Sequence, residues 1–97
     1  MIGSFGDKAT EDLFHNRQTV RVRRFPPEVT YAALIKLDVI NAAHALTDLK
    51  APPGNRLEAL RGDLSGYYSI RVNAQWRLIF RWRDANAYEV RLLDYHK

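Results

Sequence analysis

The sequence predicts an α+β domain in two layers, with helices packed on one face of an antiparallel sheet. Three observations lead there. A long apolar series with helical spacing occupies residues 26–49. From residue 56 onward the pattern changes to short β-type segments separated by turns of about three residues, the spacing of antiparallel hairpins. Within the third of these segments the side chains alternate strictly. Trp76, Leu78, Phe80 and Trp82 share one face, and Arg77, Ile79, Arg81 and Arg83 share the other. An aromatic face must meet the helices, and a face of arginines is expected to meet solvent or a ligand.

The elements follow in order. Residues 2–5 form a short apolar start, read as an edge strand. Residues 7–14 read as a helix capped by Asp7, with acidic residues early and an apolar edge of Ala9, Leu13 and Phe14. Residues 16–25 are polar and basic. Val20 and Val22 alternate there with Arg21 and Arg23, which predicts a short extended piece. Arg17, Arg21, Arg23 and Arg24 read as a solvated or RNA-facing patch. Pro26-Pro27-Glu28 starts the long helix, since proline suits the first helical position and Glu28 suits the positive end of the dipole. That helix is expected to run to about Leu46. Ile35, Val39, Ala42, Leu46 and Leu49 recur at spacings of four and three as its buried stripe, widened by Ala33, Leu37 and Ile40. Ala51-Pro52-Pro53-Gly54-Asn55 is a turn cluster. Strands are then expected over 56–60, 67–72, 76–83 and 87–95. Trp76 and Trp82 are read as core, and Tyr67 and Tyr68 as divided between the two faces.

The chain has 97 residues, which predicts one domain over 1–97. A hydrophobic content of 46% argues against disorder, and no apolar run approaches the ~20 residues of a membrane helix. Residues 1–7 lack the basic and apolar regions of a secretory signal. Cysteine is absent, so disulfides, thiolate catalysis and cysteine metal sites are excluded. These features predict a cytoplasmic protein. The net charge is +4, and 11 of the 15 basic residues are arginine. A guanidinium is a planar fork that matches phosphate and stacks on bases, so the bias points towards nucleic acid.

Asp94-Tyr95-His96 follows this block of arginines. A histidine near its unperturbed pKa of about 6.5 can take or give a proton at neutral pH. A proton-transfer group beside an anion clamp suits a phosphate-bearing substrate. His15 and His44 lie without partners at metal-ligand spacing and are read as surface or satisfied helix residues.

Four ordered blocks carry a family resemblance. They are residues 55–63 (NRLEALRGD), 66–73 (GYYSIRVN), 76–82 (WRLIFRW) and 94–96 (DYH), together with Ile2, Phe5, Asp7, Lys8 and the long helix. In this order and spacing the chain resembles the HigB toxins of the RelE/ParE superfamily over nearly its whole length, residues 19–24 excepted. The resemblance implies a RelE-like fold, with an N-terminal strand and two helices on an antiparallel sheet. It implies a type II toxin that cleaves messenger RNA in the ribosomal A site through the RNA's own 2′-hydroxyl, with no metal or cofactor. It implies a HigA-type antitoxin with a helix-turn-helix domain, through which operator DNA is bound, and no membrane partner. The catalytic positions it implies are His96, Arg77, Tyr95 and Arg61. Arg71, Asn73 and Arg81 are the phosphate- or RNA-binding candidates, with Arg71 and Asn73 both open for a further basic position near the hairpin turn. Two rivals stand beside this reading. One is a ParE-like toxin that poisons gyrase without RNase activity, against which a terminal proton shuttle argues. The other is a non-catalytic RNA-binding module, suggested by charge alone.

Overall fold

Helices pack on one face of a single four-stranded sheet of order β1-β2-β3-β4, antiparallel throughout. The computed structural model describes residues 1–95. The strands are β1 (Glu58–Ala59), β2 (Tyr68–Arg71), β3 (Trp76–Arg83) and β4 (Asn86–Asp94). The β3–β4 hairpin turns through Asp84 (φ 52) and Ala85 (φ 65), two left-handed residues in the arrangement that matches strand twist. The apolar start does not extend the sheet as a continuous strand. Instead Ile2 and Phe5 make isolated parallel bridges to Ala87 and Val90 on β4. Gly6 is required there, because a Cβ would fall 2.8 Å from the carbonyl oxygen of Glu89.

Helix α1 (Lys8–Phe14) forms as its sequence dictates, with the Thr10 amide donating 2.9 Å to the Asp7 carboxylate. Residues 20–23, expected to be extended, are instead a one-turn helix, α2 (Val20–Arg23). Thr19 explains the difference. Its hydroxyl oxygen accepts the Val22 amide at 3.3 Å and donates 3.0 Å to Asp12 on α1. Four alternating residues are too few to separate a strand from one helical turn, and here Val22 is buried while Val20 is 60% exposed.

Asp12 is the centre of this corner. It is buried, and it accepts hydrogen bonds from Thr19, from Arg17 at 3.2 Å and from Arg21 at 3.1 Å. Two of the four arginines in the basic segment therefore hold α1 to α2, with their side chains still half exposed. Burial alone would raise the Asp12 carboxyl; the bonds from Arg17, Thr19 and Arg21 outweigh it and hold it below its ordinary value. A depressed folded value means that Asp12 adds stability above the unfolded carboxylate range, and that this is lost as pH falls through the depressed value. Asp12→Asn should lower the melting temperature at neutral pH, with the gap to wild type closing in acid. Thermal melts from pH 7 to pH 2 test this, and a gap independent of pH would show that the carboxylate charge is not what matters.

Helix α3 (Pro27–Ala42) ends four residues before the expected Leu46. The Asp48 carboxylate accepts the His44 and Ala45 amides, both at 3.0 Å, so these donors start a separate 3₁₀ turn (Leu46–Lys50) instead of extending α3. The buried stripe also differs in phase. Val29, Ala33, Leu37 and Ile40 face the sheet, whereas Ile35 is 49% exposed. The i+3/i+4 spacing fits two neighbouring faces of this helix, and the sheet selects the one centred on Leu37. Leu37→Ala should therefore cost about 2–5 kcal/mol, and Ile35→Ala about 0.5 kcal/mol or less. Denaturant unfolding of the pair measures this, and equal costs would contradict the packing.

The core joins that stripe to Ile70, Leu78, Phe80, Ala87, Val90 and Leu92. Trp76 and Trp82 pack half-buried at its rim, Trp76 edge-on to Phe25 at 5.7 Å between ring centres. Tyr68 packs with the core and Tyr67 turns to the other face, both half-buried. Among the described residues no helix is long and apolar enough to cross a membrane.

Candidate active site

The face of the sheet away from the helices is less open than alternation predicts. Arg77 is 7% exposed and Ile79 is fully buried. Ile79 lies between its cross-strand partners Ser69 and Arg91. Arg77 is covered by the segment that leads into β1. Its Nη2 meets a Glu58 carboxylate oxygen at 2.8 Å. Its Nη1 donates to the Ser69 hydroxyl and, at 3.4 Å, to the Arg56 carbonyl. A buried guanidinium is costly unless its donors are matched, and these acceptors take three of its five N–H groups. Arg77 is thus held in one position by partners from β2 and from the 56–58 segment.

The other candidates fall into two groups. Arg71 lies directly across from Arg77 in the β2–β3 register. Its Nε donates 3.1 Å to the Asn73 carbonyl. The Asn73 side-chain oxygen accepts the Gln75 and Trp76 amides, each at 2.8 Å, and so closes the β2–β3 turn. The Tyr95 amide donates 2.7 Å to Gln75 O, which seats the end of β4 beside that turn. The Tyr95 ring centre lies 5.0 Å from the Arg77 guanidinium carbon, a cation–π contact, although the ring remains 42% exposed in the residue as a whole. Arg71, Asn73, Ala74, Arg77 and Tyr95, with Arg56, line one cavity of about 270 Å³. A second hollow, which shares Tyr95 with this cavity, is lined by Glu58, Ala59, Leu60, Arg61 and Tyr95. Among the described residues Arg61 makes no ion pair with Asp63.

Arg81 stands apart. It shares the face of Arg77 but lies four residues along β3, roughly 13 Å at strand rise. Its Nε pairs with Glu89 at 3.2 Å, its guanidinium stacks 4.3 Å from the Tyr67 ring centre, and the Tyr67 hydroxyl donates 2.8 Å to the same Glu89. A register shift between Ile79 and Arg81, with Glu89 at φ 53, aims Glu89 at this pair. Arg81 is thus not a wall of the cavity. His96 lies outside the described residues.

Two site residues escape sequence reasoning. Glu58 reads as a polar strand position, and Arg56 as the first residue of a strand. Only the register Glu58↔Ser69, next to Ser69↔Ile79, brings β1 over Arg77. Among the described residues the arrangement sets three guanidiniums around one cavity, of which that of Arg77 is ion-paired with Glu58. A buried, fixed donor such as Arg77, with further guanidiniums beside it, suits a phosphodiester and the charge that gathers on its oxygens during displacement.

Comparisons with known proteins agree with the fold and the ordered motifs. A family model described as the RelE-like toxin of type II toxin–antitoxin system HigB matches residues 3–96. The chain is 45% identical over 93 residues to toxin HigB-1 of Vibrio cholerae serotype O1, covering 96% of this chain and 95% of that one. It is 33% identical over 96 residues to a Proteus vulgaris protein named endoribonuclease HigB, covering 99% and 100%. A chain of the Staphylococcus aureus YoeB–YefM complex shares the fold, with a TM-score of 0.61 at 19% identity over 100% of this chain and 99% of that chain. Together these matches make the chain a member of the HigB family of RelE-like toxins of type II toxin–antitoxin systems.

Proposed function

We propose that this toxin is an endonuclease that cuts translated messenger RNA in the ribosomal A site without a metal ion. The observation that carries the reading is the cavity floored by Arg77, whose guanidinium is fixed by Glu58 and Ser69 and capped by the Tyr95 ring. The name of the Proteus vulgaris relative, endoribonuclease HigB, supports it.

The chemistry balances with the RNA as its own nucleophile. The 2′-oxygen bonds to the adjacent phosphorus while the bond to the next nucleotide's 5′-oxygen breaks. The products carry a 2′,3′-cyclic phosphate and a 5′-hydroxyl. One proton leaves the 2′-hydroxyl and one is delivered to the 5′-oxygen. His96 transfers protons in this scheme, with Tyr95 assisting. Arg77 and Arg61 hold the non-bridging oxygens and stabilise their extra charge in the transition state. Arg71 takes the further basic position, since the side-chain oxygen of Asn73 is committed to the turn. Arg81 serves a more distant phosphate. A HigA-type helix-turn-helix antitoxin neutralises the toxin in the cytoplasm and carries the operator DNA binding.

Primer extension on a translated message after induction tests the reading. New 5′ ends are expected inside the coding region with wild-type toxin and not with His96→Ala. An intact message with wild type overturns it, and inhibition of gyrase supercoiling at micromolar protein would favour the ParE-like alternative.

A further inference from the structure

Arg56 has no role in the scheme above, yet of the residues with left-handed backbone it is the one that lines the cavity. Its backbone is left-handed, at φ 48 and ψ 57. L-residues with a Cβ avoid this region, and glycine or asparagine is the usual occupant. The chain has both immediately before it, Gly54 and Asn55, but the left-handed position falls on the arginine. Departures of this kind persist only where the surroundings over-determine them, and they concentrate at functional sites.

The surroundings do over-determine it. Asn55 is fully buried, and its amide nitrogen donates to the Leu49 carbonyl at 3.3 Å and the Ala51 carbonyl at 3.2 Å. Its side-chain oxygen accepts from Lys36 on α3. On the other side, the Arg56 amide donates 3.1 Å to Pro53 O and its carbonyl accepts from Arg77. The backbone is clamped, and the residue lines the cavity with Arg71 and Arg77. Among the described residues its guanidinium has no ion pair. Among the described residues, Arg77 is the one of the three cavity arginines that is ion-paired, with Glu58, which leaves two guanidiniums (three minus one) without a carboxylate partner there. One phosphodiester carries a single negative charge.

We propose that Arg56 holds the phosphodiester next to the scissile one, so that the cavity grips two consecutive phosphates of a single RNA strand. The inference rests on the reading of this cavity as the RNA-cleaving site. Arg77 takes the reacting phosphate, and Arg56, on the strained turn, takes its neighbour and sets the strand's register across Arg77.

Arg56→Gly separates this role from a structural one, since glycine relieves the left-handed strain while removing the guanidinium. Single-turnover cleavage would be followed on ribosomes programmed with a synthetic message, at increasing toxin concentration. For Arg56→Gly the half-saturating toxin concentration should rise about tenfold, with the melting temperature equal to wild type or higher. Arg56→Lys, which restores a charge but not the fork, should recover part of the loss. Two further messages each carry one neutral methylphosphonate, on the linkage before or after the cut. One of them should weaken wild type by a similar factor and leave Arg56→Gly no weaker than it already is. Cleavage of the unmodified message with neither neutral linkage coupled to Arg56 overturns the two-phosphate site and leaves the nuclease reading intact. No cleavage by wild type removes both.

Discussion

Arg77→Ala is expected to lower the rate of message cleavage by about 10²–10³-fold, the usual loss when one preorganised donor to a developing oxyanion is removed. The size of the effect follows from how Arg77 is held. A solvent-exposed arginine would have to be ordered as the substrate arrives. This one is already ordered by the Glu58 carboxylate, the Ser69 hydroxyl and the Arg56 carbonyl. Arg77→Lys should recover little, because an ammonium is a point charge and cannot serve three fixed acceptors and a phosphate with one planar fork. The alanine variant also leaves the buried Ser69 hydroxyl without its donor, at about 1–3 kcal/mol. Cleavage therefore has to be compared at equal folded fraction, established by a thermal melt of each variant. A folded Arg77→Ala toxin that cuts at close to the wild-type rate would remove Arg77 from the mechanism.

His96→Ala should cost about 10²–10⁴-fold, the range of general acid–base catalysis. A histidine that moves a proton leaves a mark that a phosphate-holding histidine does not. The rate should depend on pH around the imidazole value, near 6.5 when unperturbed, and that limb of the profile should vanish in the variant. His96→Gln sharpens the comparison. Glutamine can hydrogen-bond a phosphate oxygen but cannot take up or release a proton in this range. It is expected to be as inactive as alanine. Near wild-type cleavage by His96→Gln would reduce His96 to a binding group and shift proton transfer to another residue.

Much of the architecture was legible because it rests on local rules. Asp7 caps α1 as a helix-starting aspartate does, through the Thr10 amide. The limits of β3 coincide with the alternating run from Trp76 to Arg83, since a period of two leaves no other way to bury three aromatics and a leucine on one side. Arg71, Asn73, Arg77 and Tyr95 do meet around one cavity, and the ordered motifs had pointed to all four. Where expectation failed, two local solutions were equally good. Val20 and Val22 suit one helical turn as well as a strand until Asp12 and Thr19 bind across it. The apolar positions of α3 offer two adjacent faces until the sheet covers Leu37 and leaves Ile35 in water.

Periodicity and capping, which act within a few residues, sufficed for the layer order, the hairpins and the basic face of β3, while the resemblance to the family rested on the ordered motifs. The tertiary structure alone decided which arginine is buried and what holds it. Glu58 and Ser69 reach Arg77 only through the pairing of β1 with β2 and β2 with β3, and Arg56 enters the same cavity only because Asn55 is anchored beneath α3. Those contacts join residues far apart in the chain, so no window of neighbouring residues contains them. They turn a run of similar arginines into a fixed Arg77, a stacked and ion-paired Arg81, and an Arg56 left unpaired among the described residues.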